Sequence, residues 1–255
     1  MRASCLDGRY DAVFFDLYGT LVDIRTDEEG DRPWNDLRSA IEAAGGSSPL
    51  VPVLRGMFGD LLDDRIRDLG GDDAQSGRFV EPDVLPVYEK ILSSCGISGD
   101  VGSLATEVAW RFRRASTSLL RLYPGALDML REIRRAGRRT VLVSNAQSCY
   151  TRPEIHALGL EGALDRILIS SEEGVRKPDA RFFERALCDE GIDSGRVVMV
   201  GNDQRSDIAG ARAAGIAGVY MRTAISPSSD GDECPLAMLS VKGADYSRIL
   251  EFVLE

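Results

Sequence analysis

Histidine is almost missing from this 255-residue chain, with His156 the only one. That argues against Ser-His-Asp or Cys-His catalysis and against multi-histidine metal sites. Cysteine is sparse as well. Cys5, Cys95, Cys149, Cys188 and Cys234 are scattered singly and odd in number, with no C-x-x-C, so neither a zinc site nor a disulfide framework is suggested. Reduced thiols in a cytoplasm fit best. Basic charge is short: 31 Lys and Arg against 41 Asp and Glu leave a net charge of -10. Nonspecific binding to nucleic acid or to an anionic membrane is not expected. An anionic substrate stays open, because a local cation or metal outweighs a distant field. No apolar run approaches the ~20 residues of a membrane span, and Met1 to Tyr10 carry no apolar leader core. No membrane segment and no secretory leader are expected.

What is present is ordinary globular material, 44% hydrophobic and 28% charged, long enough for one large domain or two smaller ones. The chain is organised around residues 12–23. Ala12-Val13-Phe14-Phe15 reads as a short buried strand. It ends on Asp16, with Gly19 three residues later, where an open parallel sheet exposes its ligand crevice.

Beyond it, helices are expected from about Trp34 to Ala44 behind Pro33, from Val51 to Leu69, from Val84 to Ser94 and from Ser103 to Leu122. Residues 24–120 thus read as an all-helical unit without strands. Asp60, Asp63, Asp64 and Asp68 read as a solvated face. After Tyr123-Pro124-Gly125 the texture changes, and strands at Thr140–Val143, Arg166–Ile169, Val197–Val200 and Ala217–Met221 alternate with helices. The helices among them are expected near Ala126–Ala136, Pro153–Leu158, Ala180–Cys188 and Asp207–Ala214. A strand near Ala237–Val241 and a helix near Tyr246–Val253 close the chain. Alternation of this kind means a parallel sheet with right-handed crossovers. The expected architecture is α/β: a doubly wound, Rossmann-like core of residues 1–22 and 121–255, with an all-helical domain of residues 23–120 inserted after the first strand.

Four strand ends carry polar residues in order: Asp16 with Thr20, then Ser144-Asn145, then Lys177-Pro178-Asp179, then Gly201-Asn202-Asp203 with Asp207. Any one of these reads equally as a cap or a turn. The four together resemble the haloacid dehalogenase superfamily of hydrolases. Asp16 to Leu21 matches its D-x-x-x-T-L motif, Ser144 its second motif, Lys177-Pro178 its lysine motif, and Gly201 to Ala211 its G-[DN]-D-x-x-x-D-I-x-G-A motif. The helical insert sits where that superfamily carries its C1-type cap. Within the superfamily the chain is most similar to a branch whose motifs read F-D-L-Y-G-T-L-V-D and S-N-A-Q, to which no substrate attaches.

The resemblance implies Asp16 as nucleophile, forming an aspartyl-phosphate. It implies Mg²⁺ held by Asp16, the Tyr18 carbonyl and Asp203, with Asp207 orienting Lys177 or the metal's waters. Lys177 would offset crowded negative charge. Ser144, Asn145 and main-chain N–H groups near Gly19 and Thr20 would bind phosphoryl oxygens. Gly210 and its alanine neighbours read as close helix–sheet packing.

One departure stands out. Phosphatases of this superfamily place a second aspartate, the general acid, where this chain has Tyr18, a contribution worth about 10²–10⁴-fold. Tyrosine there is similar to the L-2-haloacid dehalogenases, whose halide leaves unprotonated. Against that, no arginine-and-aromatic pattern occurs in Trp34 to Gly45, Phe183 stands where those enzymes have tyrosine, and Asp203 is retained. Arg113, Arg114 and Ser116 on the last cap helix are candidates for substrate contact. The leading expectation is a cytoplasmic, Mg²⁺-dependent phosphatase acting on a small phosphorylated metabolite. The alternatives are a metal-independent 2-haloacid dehalogenase using Asp16, and a degenerate member that binds a phosphorylated ligand without turnover. Monomer and homodimer both stay open.

Overall fold

The computed structural model describes residues 9–255; Cys5 and residues 1–8 of the expected core segment lie outside the described residues. After β1 (Ala12–Phe15) and β2 (Val22–Thr26) come four helices, α1 (Asp31–Ala43), α2 (Val51–Asp68), α3 (Leu85–Ser94) and α4 (Val101–Ser116), and then β3 (Thr117–Leu122). The remainder alternates through α5 (Ala126–Arg135), β4 (Arg139–Ser144), α6 (Ser148–Ala157), β5 (Arg166–Ile169), the single turn α7 (Ser170–Glu173) and α8 (Ala180–Glu190). It continues with β6 (Val197–Gly201), a wide turn at Gln204–Ala209 that runs into α9 (Gly210–Ala213), then β7 (Ala217–Arg222), β8 (Leu239–Lys242) and α10 (Tyr246–Leu254).

Six strands form one parallel sheet in the order β5-β4-β1-β6-β7-β8. β1 lies inside it, with Phe15 opposite both Leu142 and Val200. A strand covered on both faces needs apolar residues at every position, which Ala12 to Phe15 supply. Val13 and Phe15 face Met129, Leu130 and Ile133 of α5 and Ile249 and Val253 of α10. Ala12 and Phe14 face Phe182, Phe183 and Ala186 of α8. Burying each phenylalanine contributes about 1.5–3 kcal/mol. The chain steps outward from β1 to β4 and β5, then crosses back to β6, β7 and β8. That reversal beside β1 opens a crevice at the carboxyl ends of the strands.

The four helices α1 to α4 have a core of their own, including Trp34, Leu37, Ile41, Tyr88, Ile91, Val108 and Phe112. The indole of Trp34 meets the Phe112 ring edge-on at 5.1 Å. Cys149 and Tyr150 of α6 join this cluster, so the helical unit rests on the α/β layer through α6.

The structure corrects the reading of residues 24–120 as free of strands. β2 and β3 pair antiparallel, Val22 opposite Leu122 and Ile24 opposite Leu120. The fourth helix stops at Ser116, where the hydroxyls of Ser116 and Thr117 bond back to the Arg113 carbonyl. The leucines at 119 and 122, three apart, mimic a helical stripe, yet 120 and 122 satisfy a strand's period of two. The sixth helix begins at Ser148, five residues before Pro153, with Tyr150 and Thr151 N–H donating to the Gln147 carbonyl.

Gly210 lies where α9 crosses the Lys177 loop. A Cβ there would stand 2.8 Å from the Phe183 ring and 2.9 Å from the Pro178 Cα. Gly210→Ala is therefore expected to destabilise the fold by about 1–3 kcal/mol. Gly56→Ala is the control, since a Cβ at Gly56 of α2 meets nothing within 4 Å, and it is expected to stabilise by about 0.5–1 kcal/mol. Thermal or urea unfolding of the two variants checks both signs.

Candidate active site

Asp16 is the first residue beyond β1, and its N–H donates to the Val200 carbonyl of β6. Its side chain is anchored by a lysine that arrives from the other half of the sheet. Lys177 Nζ donates to Asp16 Oδ1 at 2.8 Å and to Asp207 Oδ1 at 2.6 Å. Lys177 and Asp207 are each 1% exposed. An ammonium this deep is costly unless paired. Burial alone would lower its pKa, and the two carboxylates outweigh burial and hold it above the ordinary lysine value. Burial pushes Asp207 up to about 7, with Lys177 opposing that rise and Asp16 adding to it. Asp207 Oδ2 in turn accepts from the Asp203 N–H at 3.0 Å.

Asn145 fixes the lysine loop from its far side: its amide donates to the Lys177 carbonyl at 2.9 Å and accepts from the Lys177 N–H at 2.8 Å. The Asn145 side chain, expected to bind a phosphoryl oxygen, is thus engaged as a clamp on the lysine loop. The N–H groups of Gly19 and Thr20 are likewise taken up inside the turn, by the Val22 and Leu17 carbonyls. The Thr20 hydroxyl donates to Asp16 Oδ2 at 3.4 Å. Ser144 Oγ differs from these: it is fully buried and has no hydrogen-bond partner among the described residues, a deficit that costs about 1–3 kcal/mol unless a ligand fills it.

The acidic motif divides its labour differently from the sequence expectation. Asp203 Oδ1 accepts from the N–H groups of Arg205 and Ser206 at 2.8 Å, capping the wide turn. The residue against Asp16 is Asn202. With its amide nitrogen toward them, it reaches Asp16 Oδ2 at 3.3 Å and the Tyr18 carbonyl at 3.0 Å. With its oxygen toward them, three oxygens converge at those spacings. Neighbouring ligands of an octahedral Mg²⁺ with ~2.1 Å bonds stand about 3 Å apart. Among the described residues no three Asp, Glu, His or Cys side chains form a ready metal cage. Mg²⁺ does not require one, because it keeps several waters. The donor set of Asp16 Oδ2, the Tyr18 carbonyl and the Asn202 amide oxygen fits such an ion. Gly19 permits the close approach. Its φ is +87°, and a Cβ there would fall 2.2 Å from the Asn202 amide nitrogen.

Beside this centre is a cavity of about 290 Å³, with Tyr18, Thr26, Glu28, Arg113, Asn145 and Tyr150 in its wall. Arg113 comes from α4, is 8% exposed, and donates to Glu154 at 2.7 Å and to Glu28 at 2.6 Å. The Tyr18 hydroxyl donates to the other Glu154 oxygen and shares a hydrogen bond with Thr151 at 2.9 Å. Burial, with Glu154 beside it, pushes the Tyr18 phenol well above the usual range. The structure does not bring the other two cap candidates to this cavity. Arg114 lines a separate surface pocket with Arg32 and Arg111, and the Ser116 hydroxyl is turned back onto α4.

A haloacid dehalogenase-like hydrolase profile matches residues 10–215. The chain belongs to this family. It is 33% identical over 141 residues to a phosphoserine phosphatase of Thermus thermophilus, a match covering 55% of each protein. It is 28% identical over 211 residues to an N-acetylmuramic acid 6-phosphate phosphatase of Pseudomonas aeruginosa, covering 81% of this chain and 79% of that one. The Pseudomonas protein excepted, the chain spans about half the length of the curated relatives it matches. A 2-haloacid dehalogenase structure from Pseudomonas syringae superposes with a TM-score of 0.59 at 20% identity, over 95% of this chain and 97% of that one, which shows the fold. Among the described residues no helix is long and apolar enough to cross a membrane.

Three residues near the family's motifs were missed from sequence: Asn202, Glu154 and Glu81. Asn202 carried a signal, since it is the first residue beyond β6 as Asp16 is beyond β1. Glu154 lay unmarked in α6. Glu81 reaches the site through Gln147, whose amide donates to it at 2.7 Å. Burial raises Glu81 to about 7, against the opposing pull of Arg176 and Gln147.

Two outcomes follow from these charges. Lys177→Ala leaves two buried carboxylates without their cation and is expected to destabilise by about 3–5 kcal/mol in urea unfolding, with Asp207→Asn in the same chain recovering part of the loss. Glu81 binds its proton more tightly folded than unfolded, so its contribution is complete below its ordinary value of 4.5 and is lost as pH rises through about 7. Unfolding free energy should therefore fall by about 1–3 kcal/mol more in the wild type than in Glu81→Gln between pH 4.5 and 7.5.

Proposed function

We propose that the chain is a Mg²⁺-dependent phosphohydrolase of small phosphorylated metabolites, with Asp16 as its nucleophile and residues 23–120 as a cap over the site. The observation that carries this reading is the placement of Asp16, with one carboxylate oxygen on the buried Lys177 ammonium and the other facing the Tyr18 carbonyl and Asn202. The names of the relatives, phosphatases of small phosphorylated compounds, support it.

A carboxylate oxygen of Asp16 bonds to phosphorus while the leaving oxygen departs with the bonding pair. Water then attacks the aspartyl-phosphate and returns the carboxylate. Lys177 counters the charge that two anions bring together, and Asp207 keeps the ammonium aimed at Asp16. Ser144 Oγ offers its unused hydrogen bond to a phosphoryl oxygen. Asp16, the Tyr18 carbonyl and Asn202 would hold Mg²⁺, which when bound neutralises phosphoryl charge. Asp203 serves as a cap for the turn that carries Asp207. The cavity walled by Arg113 receives the rest of the substrate.

A panel of phosphorylated metabolites assayed with Mg²⁺ and with EDTA tests the reading. Metal-dependent turnover is expected, with Asp16→Asn losing more than about 10³-fold. Mg²⁺ is also expected to raise the thermal midpoint of the wild type, and Asn202→Asp to lower the Mg²⁺ concentration that achieves this. A folded protein that hydrolyses no phosphoryl compound in Mg²⁺ would overturn it.

A further inference from the structure

Departure of a leaving oxygen requires either a proton or an intrinsically stable anion. The groups walling the cavity beside Asp16 are already committed. The Tyr18 hydroxyl gives its single hydrogen to Glu154, which is 1% exposed and is held on its other oxygen by Arg113. The Tyr150 hydroxyl pairs with that of Tyr88 at 2.6 Å. Glu28 is an acceptor, taking the second Arg113 nitrogen at 2.6 Å. Arg113 keeps its protons at any working pH. Thr26, Asn145, Gln147 and Thr151 are not acids.

We propose that the site has, among the described residues, no general acid for the leaving oxygen and is built for phosphoryl compounds whose leaving group departs as a stable anion, acyl phosphates and related mixed phosphoric anhydrides, in preference to alkyl phosphate monoesters. This rests on the phosphohydrolase reading. In the first step the Asp16 oxygen–phosphorus bond forms. The bond between phosphorus and the acyl oxygen breaks, and both electrons leave with the carboxylate, which needs no proton. In the second step water attacks phosphorus, its proton passes to solvent, and the Asp16 carboxylate and inorganic phosphate are released. An alkoxide on the same path would have to leave unprotonated, forfeiting about 10²–10⁴-fold.

The rival donor is Glu81, whose carboxyl burial raises to about 7. Its Oε1 is engaged by Gln147, and it does not line the cavity.

The experiment measures kcat/KM in Mg²⁺ for acetyl phosphate, a series of aryl phosphates of graded phenol acidity, and glycerol phosphate. Wild type, Tyr18→Phe, Tyr18→Asp and Glu81→Gln are compared, each checked for folding by its thermal midpoint. Acetyl phosphate is expected to exceed glycerol phosphate by at least about 100-fold, with rates falling steeply as the phenol becomes less acidic. Tyr18→Asp is expected to flatten that slope and raise glycerol phosphate turnover by about 100-fold or more, and Glu81→Gln to leave the slope as it is. Wild type turning over glycerol phosphate as fast as acetyl phosphate would overturn the proposal. So would a selective loss of glycerol phosphate turnover in Tyr18→Phe or Glu81→Gln, which would expose the acid. Absence of hydrolysis of every compound, acetyl phosphate included, instead defeats the phosphohydrolase reading, and halide release from 2-chloropropionate in EDTA would then place the missing acid in carbon–halogen chemistry.

Discussion

A lysine ammonium shut away from water between two carboxylates is the constraint around which this molecule is arranged. Lys177 has no solvent to fall back on, so the residues beyond β1, the loop before α8 and the turn before α9 must meet at one point. Removing the lysine strands two buried carboxylates, and the cost of that is about 3–5 kcal/mol. Structures around the triangle are devoted to keeping it closed. Asn145 grips the lysine backbone on both sides, the Asp203 N–H steadies Asp207, and Gly201 is bare because a Cβ would lie 2.3 Å from an Asp207 oxygen.

Next to this rigid corner is a set of oxygens that lack such closure. Asn202 can satisfy Asp16 and the Tyr18 carbonyl with its nitrogen, or join them as a third oxygen with a cation between. An amide serves both arrangements where a carboxylate serves only the second, since ionised carboxylates accept and never donate. The same economy of donors marks the cavity wall, where the Tyr18 and Tyr150 hydroxyls and the Arg113 guanidinium are answered by neighbours before any substrate arrives.

Much of this was legible in the residues. The unbroken apolar run of β1, the alternation after Gly125 and the ordered polar strand ends prescribe a doubly wound sheet with Asp16 and Lys177 at its crevice, because burial on both faces and the crossover rule leave few alternatives. What was not legible depended on ties between distant segments. Leu119 to Leu122 fit a helix as well as a strand until their partner, Val22 to Ile24, is known. The motif pointed to Asp203 as the metal ligand, and only the direction of the side chains puts Asn202 beside Asp16 in its stead. Tyr18 looked like a missing acid. Its attachment to Glu154, 136 residues away, is a matter of how α6 lies on β1, which no local pattern encodes.

The β2–β3 ribbon has a mechanical corollary. Both crossings between the helical unit and the sheet run side by side as one hydrogen-bonded stalk, Val22–Thr26 against Thr117–Leu122. A body hung on a two-rail stalk bends about a single axis more readily than it twists. Arg113 to Glu154 and Tyr88 to Tyr150 fasten its far side to α6 like a pair of latches. One of those latches shares its carboxylate with Tyr18, so raising the helical unit withdraws Arg113 from Glu154 and leaves that carboxylate to the Tyr18 hydroxyl alone.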